Sequence, residues 1–193
     1  ALASLTVKDE EESEETPARP AELVALDERF LENPSYAIRL CRKAVIKMAE
    51  HSRESMLLAM EVQSSYSDEK VEEVIRLEQL VDDFEDTVGT YLVKLGIRDL
   101  STEDGHTLSL LLHSISDFER ISDHAINIAE AAQKMHEQGL PFSGQGKKEL
   151  ELLGSAVEDI MNITLEAFSK DDRDTAVKVE PLEEVIDDLV KEM

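Results

Sequence analysis

Two acidic side chains four residues apart offer the clearest chemistry in this sequence. Glu119 and Asp123 lie in the segment from Ile115 to Glu130, whose apolar residues recur at the 3.6-residue period of an amphipathic helix. On such a helix the two carboxylates fall on one side, along the edge of the apolar stripe. Carboxylates at the rim of a core need a compensating partner. The spacing therefore predicts a clamp for a metal ion.

A second acidic pair precedes the first along the chain. The helical wheel places Glu78, Asp82 and Glu85 inside or beside the apolar stripe of their own helix. In an antiparallel bundle, Glu78 and Asp82 would approach Glu119 and Asp123 to form one wall of four carboxylates. Such a wall suits a hard cation with oxygen ligands, and iron or manganese fits as well. We predict a metal site at these four residues.

Ion pairing is the alternative interpretation of the same carboxylates. Arg76 and Arg120 are close enough along the chain to neutralise them without a metal. The spacing alone is a weak signal, because 44 acids in 193 residues produce many such pairs by chance. The placement of two pairs at the edge of the core is more specific. The histidines show no ligand spacing such as HExxH, and the wheel turns His124 toward the polar side.

Long helices are predicted to position these side chains. Asn33 and Pro34 supply an N-cap and a first-turn proline, and serines and a glycine mark the turns that follow. The three predicted helices span about residues 34–62, 68–95 and 101–139. Short turns between long helices favour antiparallel neighbours, so the sequence predicts an all-α, up-down helical bundle.

The second half of the chain repeats part of the first. A shift of 105 residues places Met56 on Met161, Val74 on Val179, Leu77 on Leu182, Glu78 on Glu183, Asp82 on Asp187 and Asp83 on Asp188. A fourth helix is predicted over about 147–168 and a fifth from about Asp172, with a kink or a delayed start at Pro181. These patterns predict a flexible acidic linker at 1–22, a complete three-helix repeat at 23–140 and a partial repeat without its third helix at 141–193.

Charge and composition exclude several classes of function. The formal charge of −24 repels nucleic acid and anionic lipid, so neither is an expected partner. The only cysteine, Cys41, is expected to pack as a small apolar group in a reducing compartment. No apolar run approaches the roughly 20 residues that cross a bilayer. The start at Ala1 and the end at Met193, inside a helical pattern, suggest a piece of a longer protein.

The sequence around the first acidic pair resembles a known family signature. Residues 119–130 read ERISDHAINIAE, which is similar to the phrase ERIGDHAxNIAE of the PhoU family of phosphate-transport regulators. The resemblance implies three-helix bundles whose acidic pairs face each other and hold iron or other metal ions. The segment from Leu26 to Pro34, followed by Ala37 and a long helix with Met48, resembles the junction between membrane and PhoU-like parts in bacterial sodium/phosphate cotransporters. The likeness covers roughly residues 26–193.

These resemblances imply a PhoU-like regulatory region on the cytoplasmic side of the membrane, tethered to the membrane transporter part of the same polypeptide. Inorganic phosphate would bind through metal. A free-standing PhoU-type adaptor for a phosphate ABC transporter or a sensor kinase is an alternative. A di-iron carboxylate enzyme is a second one, although such sites pair Glu with Glu-x-x-His and neither Glu78 nor Glu119 has a histidine three residues later. We expect no catalytic residues, and an uncovered second repeat would favour a homo-oligomer.

Overall fold

Helices form all the regular secondary structure in the described part of the chain. The computed structural model describes residues 19–193, and these contain no β-strand, which confirms the all-α prediction. A 3-10 helix spans Glu28–Glu32. The α-helices are α1, Ala21–Val24; α2, Pro34–Ser64; α3, Asp68–Gly96; α4, Thr102–Glu137; α5, Gly144–Lys170; α6, Arg173–Ala176; and α7, Val179–Glu192. The linker predicted at 1–22 lies almost entirely outside the described residues.

The long helices begin where side chains cap their free backbone amides. The Asn33 side chain accepts a hydrogen bond from the Tyr36 amide at 3.3 Å, and Pro34 is the first residue of α2. Ser67 and Ser101 cap α3 and α4 in the same way. These three starts were predicted to within one residue. The predicted end of the first long helix near Val62 was wrong by two residues, because α2 continues to Ser64.

Helices α2, α3 and α4 pack into a three-helix bundle in which α3 runs antiparallel to its two neighbours. Their apolar stripes meet in a dry core, whose largest fully buried side chains include Met48, Leu77, Phe84, Leu92, Leu95 and Leu111. Cys41 is buried in the same core, and its burial raises the pKa of the thiol to about 12. It therefore packs as a small apolar side chain, as predicted.

Helix α5 packs against α2 and also contacts α6 and α7. The Arg53 Nε atom donates to Oδ1 of Asn162 at 2.6 Å, and an Arg42 nitrogen donates to the Phe168 carbonyl at 3.1 Å. Helix α5 begins at Gly144, three residues earlier than predicted, because the Ser143 hydroxyl accepts a hydrogen bond from the Gly146 amide.

The fifth helix was predicted to begin near Asp172, with a kink or a delayed start at Pro181. The chain forms the short α6 there, breaks, and starts α7 at Val179 with Pro181 in the first turn. A proline in the first turn has no intrahelical hydrogen bond to lose, so the helix starts just ahead of it. The delayed start predicted from Pro181 is thus confirmed.

Burial differs sharply between the two halves of the described chain. Nine residues of α3 are buried, whereas α5 buries only Ala167 and α7 buries none. Within the described residues, no helix is both long and apolar enough to cross a membrane. The division into repeats at 23–140 and 141–193 stays a prediction.

Candidate functional site

Two glycines show how α3 and α4 lie beside each other. A Cβ atom placed on Gly89 would lie 3.3 Å from Cδ1 of Ile115, and one on Gly96 would lie 3.8 Å from Cδ1 of Leu108. Seven residues toward the C-terminus of α3, from Gly89 to Gly96, therefore correspond to seven residues toward the N-terminus of α4, from Ile115 to Leu108. Continued along the two helices, this antiparallel register places residue 82 level with residue 122, and residue 85 level with residue 119.

The predicted carboxylates come together along this seam. We call Glu78, Asp82, Glu119 and Asp123 the acidic wall. Glu78 and Glu119 are half-buried, while Asp82 and Asp123 are exposed. Each helix turns its fully apolar side to the core and leaves these acids at the edge, because their positions border the apolar stripe. The structure thus brings all four residues to one side of the bundle.

The carboxylates of α3 in the wall hold their protons more tightly than in water. Burial raises the pKa of Glu78, and the nearby charges of Asp82 and Asp123 raise it further. Burial also raises the pKa of Asp82, followed by repulsion from Asp123, Asp86 and Asp83. Both the loss of water and the crowding of like charge disfavour ionisation here.

Glu119 has acidic neighbours both on its own helix and on α3. Burial is the main cause of its raised pKa, and the charge of Asp123 is the next. A hydrogen bond between the two carboxyl groups favours the protonated form of Glu119, and repulsion from Glu85 and Asp82 adds to it. Glu119 therefore links the two helices electrostatically.

The ion-pair alternative is not realised in the described residues. No lysine or arginine there lies within 4.0 Å of an acidic-wall carboxylate. Arg76 instead pairs with Glu73 on its own helix at 2.6 Å, and Arg120 is exposed on α4. Within residues 19–193, the wall therefore has no protein cation to balance it.

The four carboxylates of the wall are the kind of ligand that a hard cation binds, although their side chains are not grouped around one point. Carboxylate oxygens with no counter-charge are the ligands that such cations prefer. Among residues 19–193, however, no three acidic, histidine or cysteine side chains are grouped closely enough to hold a metal ion. The register places Asp82 nearly level with Asp123, whereas Glu78 and Glu119 each lie about one helical turn away, on opposite sides of that level. Rotation of the partly exposed side chains would be needed to close a site.

Buried hydroxyl groups lie in the bundle at the level of the wall. Ser122, between Glu119 and Asp123 in sequence, is completely buried, and its Oγ has no hydrogen-bond partner in the described residues. The Oγ of Ser55 on α2 is in the same condition. These serines were not predicted as part of the site, because a serine fits a core position of an amphipathic helix as readily as an alanine does.

The histidines are placed away from a ligand role. His124, His106, His113 and His136 are exposed, which agrees with the sequence prediction for His124. His51 is half-buried, and desolvation lowers its pKa, together with the charge of Lys47. At the edge of the core, His51 packs near Phe84 rather than at the wall.

Two aspects of the site differ from the sequence prediction. Glu85 was recognised at the edge of the stripe but was not included in the predicted metal site, whereas its charge acts directly on Glu119. The helical wheel carried this signal, and the register of α3 against α4 was needed to use it. The repeated acids on α7, Glu183 and Asp187, are exposed.

Comparison with known proteins shows what the bundle is similar to. Residues 45–132 match the sequence profile of the PhoU domain, and this range holds all of α3, most of α2 and α4, and the whole acidic wall. A Clostridium acetobutylicum protein described as a phosphate-specific transport system accessory protein PhoU homolog is 21% identical over 149 residues, which cover 76% of this chain and 67% of that protein. No solved structure matches the chain significantly. Over residues 45–132, less than half of the chain, the bundle is therefore similar to the PhoU domain.

Proposed function

We propose that this chain regulates phosphate transport and that its acidic wall binds divalent or trivalent metal ions, with iron or manganese as the first candidates. The observation that carries the proposal is the wall itself. Carboxylates from two helices of the PhoU-like bundle share one seam, with raised pKa values and no cation from the described residues beside them. Metal binding would balance this charge, and no role in the proposal requires a catalytic group.

Charge explains why phosphate would need a metal. A chain with a formal charge of −24 repels a free phosphate anion, and the carboxylates of the wall add to this repulsion locally. A bound cation supplies a positive local field and coordination positions for phosphate oxygens. Glu78 and Asp82 on one helix, with Glu119 and Asp123 on the other, would hold it at the seam. Balancing their repulsion changes how tightly α3 and α4 approach, which is a route from ligand to regulation.

A sodium-dependent phosphate cotransporter is our first choice of context. The chain would act on the cytoplasmic side of the membrane, joined to its transporter by the acidic linker. The resemblance of residues 26–34 to the cotransporter junction supports this choice. In the structure this segment is anchored to the bundle, since the Tyr91 hydroxyl donates to the Asp27 carbonyl at 2.9 Å and Lys94 pairs with Glu28 at 2.6 Å. Movement of the bundle would therefore reach the linker.

A free-standing adaptor is the second candidate, favoured by the description of the Clostridium relative as an accessory protein of a phosphate-specific transport system. The native sequence that precedes Ala1 discriminates between the two. Several apolar stretches of about 20 residues there would support the cotransporter. Their absence from the native protein would support the adaptor.

Metal content tests the site directly. We expect purified protein, loaded with iron or manganese and desalted, to retain metal by elemental analysis, and the variant Glu119→Gln/Asp123→Asn to lose most of it. The variant Glu183→Gln/Asp187→Asn is the matched control, because it removes the same two charges at the same spacing from exposed positions on α7. Equal metal content in all three proteins would contradict the site.

Phosphate binding is tested separately by equilibrium dialysis of radiolabelled inorganic phosphate. We expect metal-loaded protein to retain phosphate and chelator-treated protein to retain none above background. The same uptake in both states would leave the metal site standing but refute its link to phosphate.

A further inference from the structure

Residue pairs at seven-residue steps mark the contact between α3 and α4. The pairs are Gly96 with Leu108, Gly89 with Ile115 and, by continuation of the same register, Asp82 with Ser122. Seven residues are nearly two helical turns, so each step returns to the same side of its helix. Ser122 therefore lies on the side of α4 that contacts α3, level with Asp82.

The chemistry of the contact changes at the third pair. At the first two, a glycine of α3 lies beside a large apolar side chain of α4, and a Cβ atom on Gly89 would lie 3.3 Å from Cδ1 of Ile115. At the third, a carboxylate on α3 is level with a hydroxyl on α4. A hydroxyl can donate a hydrogen bond to a carboxylate, and such a bond is stronger than one between neutral groups. The register thus places a donor beside the acidic wall.

The hydroxyl of Ser122 is free to make such a bond. Serines inside helices commonly donate to the carbonyl four residues earlier. Ser52 donates to the Met48 carbonyl at 3.0 Å. Ser114, on the same helix as Ser122, donates to the Leu110 carbonyl at 2.9 Å. The Ser122 hydroxyl is completely buried and has no partner among the described residues, so its donor is unused.

Asp82 has the complementary need. Its side chain is exposed, and repulsion from neighbouring aspartates adds to burial in raising its pKa. Within residues 19–193, no lysine or arginine lies within 4.0 Å of it to hold it in place. A carboxylate in this position needs a cation for its charge and a donor that fixes its orientation.

We propose that Ser122 is a positioning residue of the acidic wall, and that its hydroxyl donates a hydrogen bond to the Asp82 carboxylate when that side chain turns inward to bind a cation. The inference rests on the proposed function, because it requires a metal ion at the wall. Donation to one oxygen orients the carboxylate and leaves the other oxygen for the cation. Closure of the site then also supplies the partner that the buried hydroxyl lacks.

Manganese binding to single variants tests the role of Ser122. The probe is Mn²⁺ alone, added to metal-free protein, with the free ion measured by electron paramagnetic resonance. We expect Ser122→Ala to weaken Mn²⁺ binding about tenfold or more, as for other groups that orient metal ligands. Ser55→Ala is the matched control, because it removes an equally buried and unpaired hydroxyl from α2, away from the contact between α3 and α4. It should leave binding within about twofold.

A double-mutant comparison tests whether Ser122 acts through Asp82. In protein that already carries Asp82→Ala, the acceptor is gone, so Ser122→Ala should weaken Mn²⁺ binding by less than about twofold more. A purely structural role of Ser122, or direct binding of its hydroxyl to the metal, would give the full loss in both backgrounds.

Thermal unfolding gives a readout that does not depend on the affinity measurement. Saturating Mn²⁺ should raise the melting temperature of the unmodified protein and of Ser55→Ala by similar amounts, and that of Ser122→Ala by less. The reason is that only Ser122→Ala removes a hydrogen bond that forms on metal binding. Equal rises in all three proteins would contradict the proposal.

The outcomes separate this inference from the metal site on which it rests. Equal Mn²⁺ binding by unmodified protein and Ser122→Ala would overturn the role of Ser122 and leave the metal site standing. An unmodified protein that does not bind Mn²⁺, or a Glu119→Gln/Asp123→Asn variant that binds it equally well, would overturn both. A loss confined to Ser122→Ala, and absent once Asp82 is replaced, supports the proposal.

Discussion

Glu119 is repelled by acidic side chains on its own helix and on α3. It lies four residues before Asp123 on one helix and level with Glu85 on the next, and its pKa is raised. In metal-free protein at pH 7, we expect Glu119→Gln to increase the free energy of unfolding. Like charges at this spacing destabilise a helix by about 0.2–0.5 kcal/mol, and the cross-helix neighbours bring the expected gain to about 0.5–1 kcal/mol after screening by solvent. Urea unfolding measures it.

Glu130→Gln is the control for that substitution. Glu130 is exposed on the same helix and pairs with Lys134 at 3.4 Å, so its loss should lower stability slightly or leave it unchanged. The two variants make the same chemical change with different expected results. A loss of stability for Glu119→Gln would mean that the wall is not under repulsion in the absence of metal.

Ser122 offers a second test at the scale of single residues. Its buried hydroxyl has no partner in the described residues, and a buried unpaired polar group costs about 1–3 kcal/mol. We therefore expect Ser122→Ala to raise the melting temperature. Ser52 is equally buried, but its hydroxyl donates to the Met48 carbonyl at 3.0 Å, so Ser52→Ala should gain less. Equal shifts for the two variants would indicate that Ser122 is hydrogen-bonded in solution.

At the scale of elements, the starts of the long helices were predictable because local chemistry determines them. Asn33, Ser67 and Ser101 each place a side-chain acceptor where the first free amides need one. Pro181 similarly revealed the delayed start of α7 from sequence alone. The break between α6 and α7 was harder to predict from the sequence, because it depends on how the chain packs after α5 rather than on the residues at the break.

The seam was only partly predictable for a different reason. The helical period places Glu78, Asp82 and Glu85 at the edge of a stripe, but it does not say which α4 residue faces each of them. That depends on the axial register, which is seen from Ile115 beside Gly89 and Leu108 beside Gly96. A helical wheel carries no axial information, so the role of Glu85 beside Glu119 required the structure.

Helix α7 is expected to be the least stable of the long elements. It buries no residue, whereas α3 buries nine. Helices with few buried contacts open locally at low free energy. In native-state hydrogen exchange, amides of Val179–Glu192 should exchange faster than those of Asp68–Gly96. Similar protection in the two helices would show that another surface covers α7 in solution.

For the whole molecule, the carboxylates predict an unusual dependence of stability on pH. Glu78, Asp82 and Glu119 have raised pKa values, so the folded protein binds their protons more tightly than the unfolded protein does. Their destabilising effect is therefore absent below the unfolded values of about 4 to 4.5 and grows as pH rises through the folded values. Metal-free protein should therefore gain stability from these groups as pH falls from 7 through their folded pKa values toward about 4.

Other groups act in the opposite direction and limit this gain. Asp27 has a pKa lowered to about 2 by hydrogen bonding to Arg29, so the stability it gives is lost as pH falls from about 4 toward 2. Glu69 and Glu73 also have lowered pKa values and behave likewise. The lowered pKa of His51 removes stability as pH falls below its usual value of 6.5. These losses therefore oppose the gain from the acidic wall as pH falls.

The contribution of the acidic wall to the pH dependence of stability is obtained by comparing a variant with the unmodified protein. Urea unfolding at constant ionic strength, with chelator, should show that Glu119→Gln stabilises the protein more at pH 7 than at about pH 4, because a carboxyl group whose pKa is raised is charged mainly at the higher pH. His51 and Asp27 are unchanged in the variant, so their effects cancel in the comparison. Glu130→Gln should show no such trend. A Glu119→Gln effect that is equal at both pH values would mean that Glu119 is ionised throughout, and that solvent, not a neighbouring carboxylate, surrounds it.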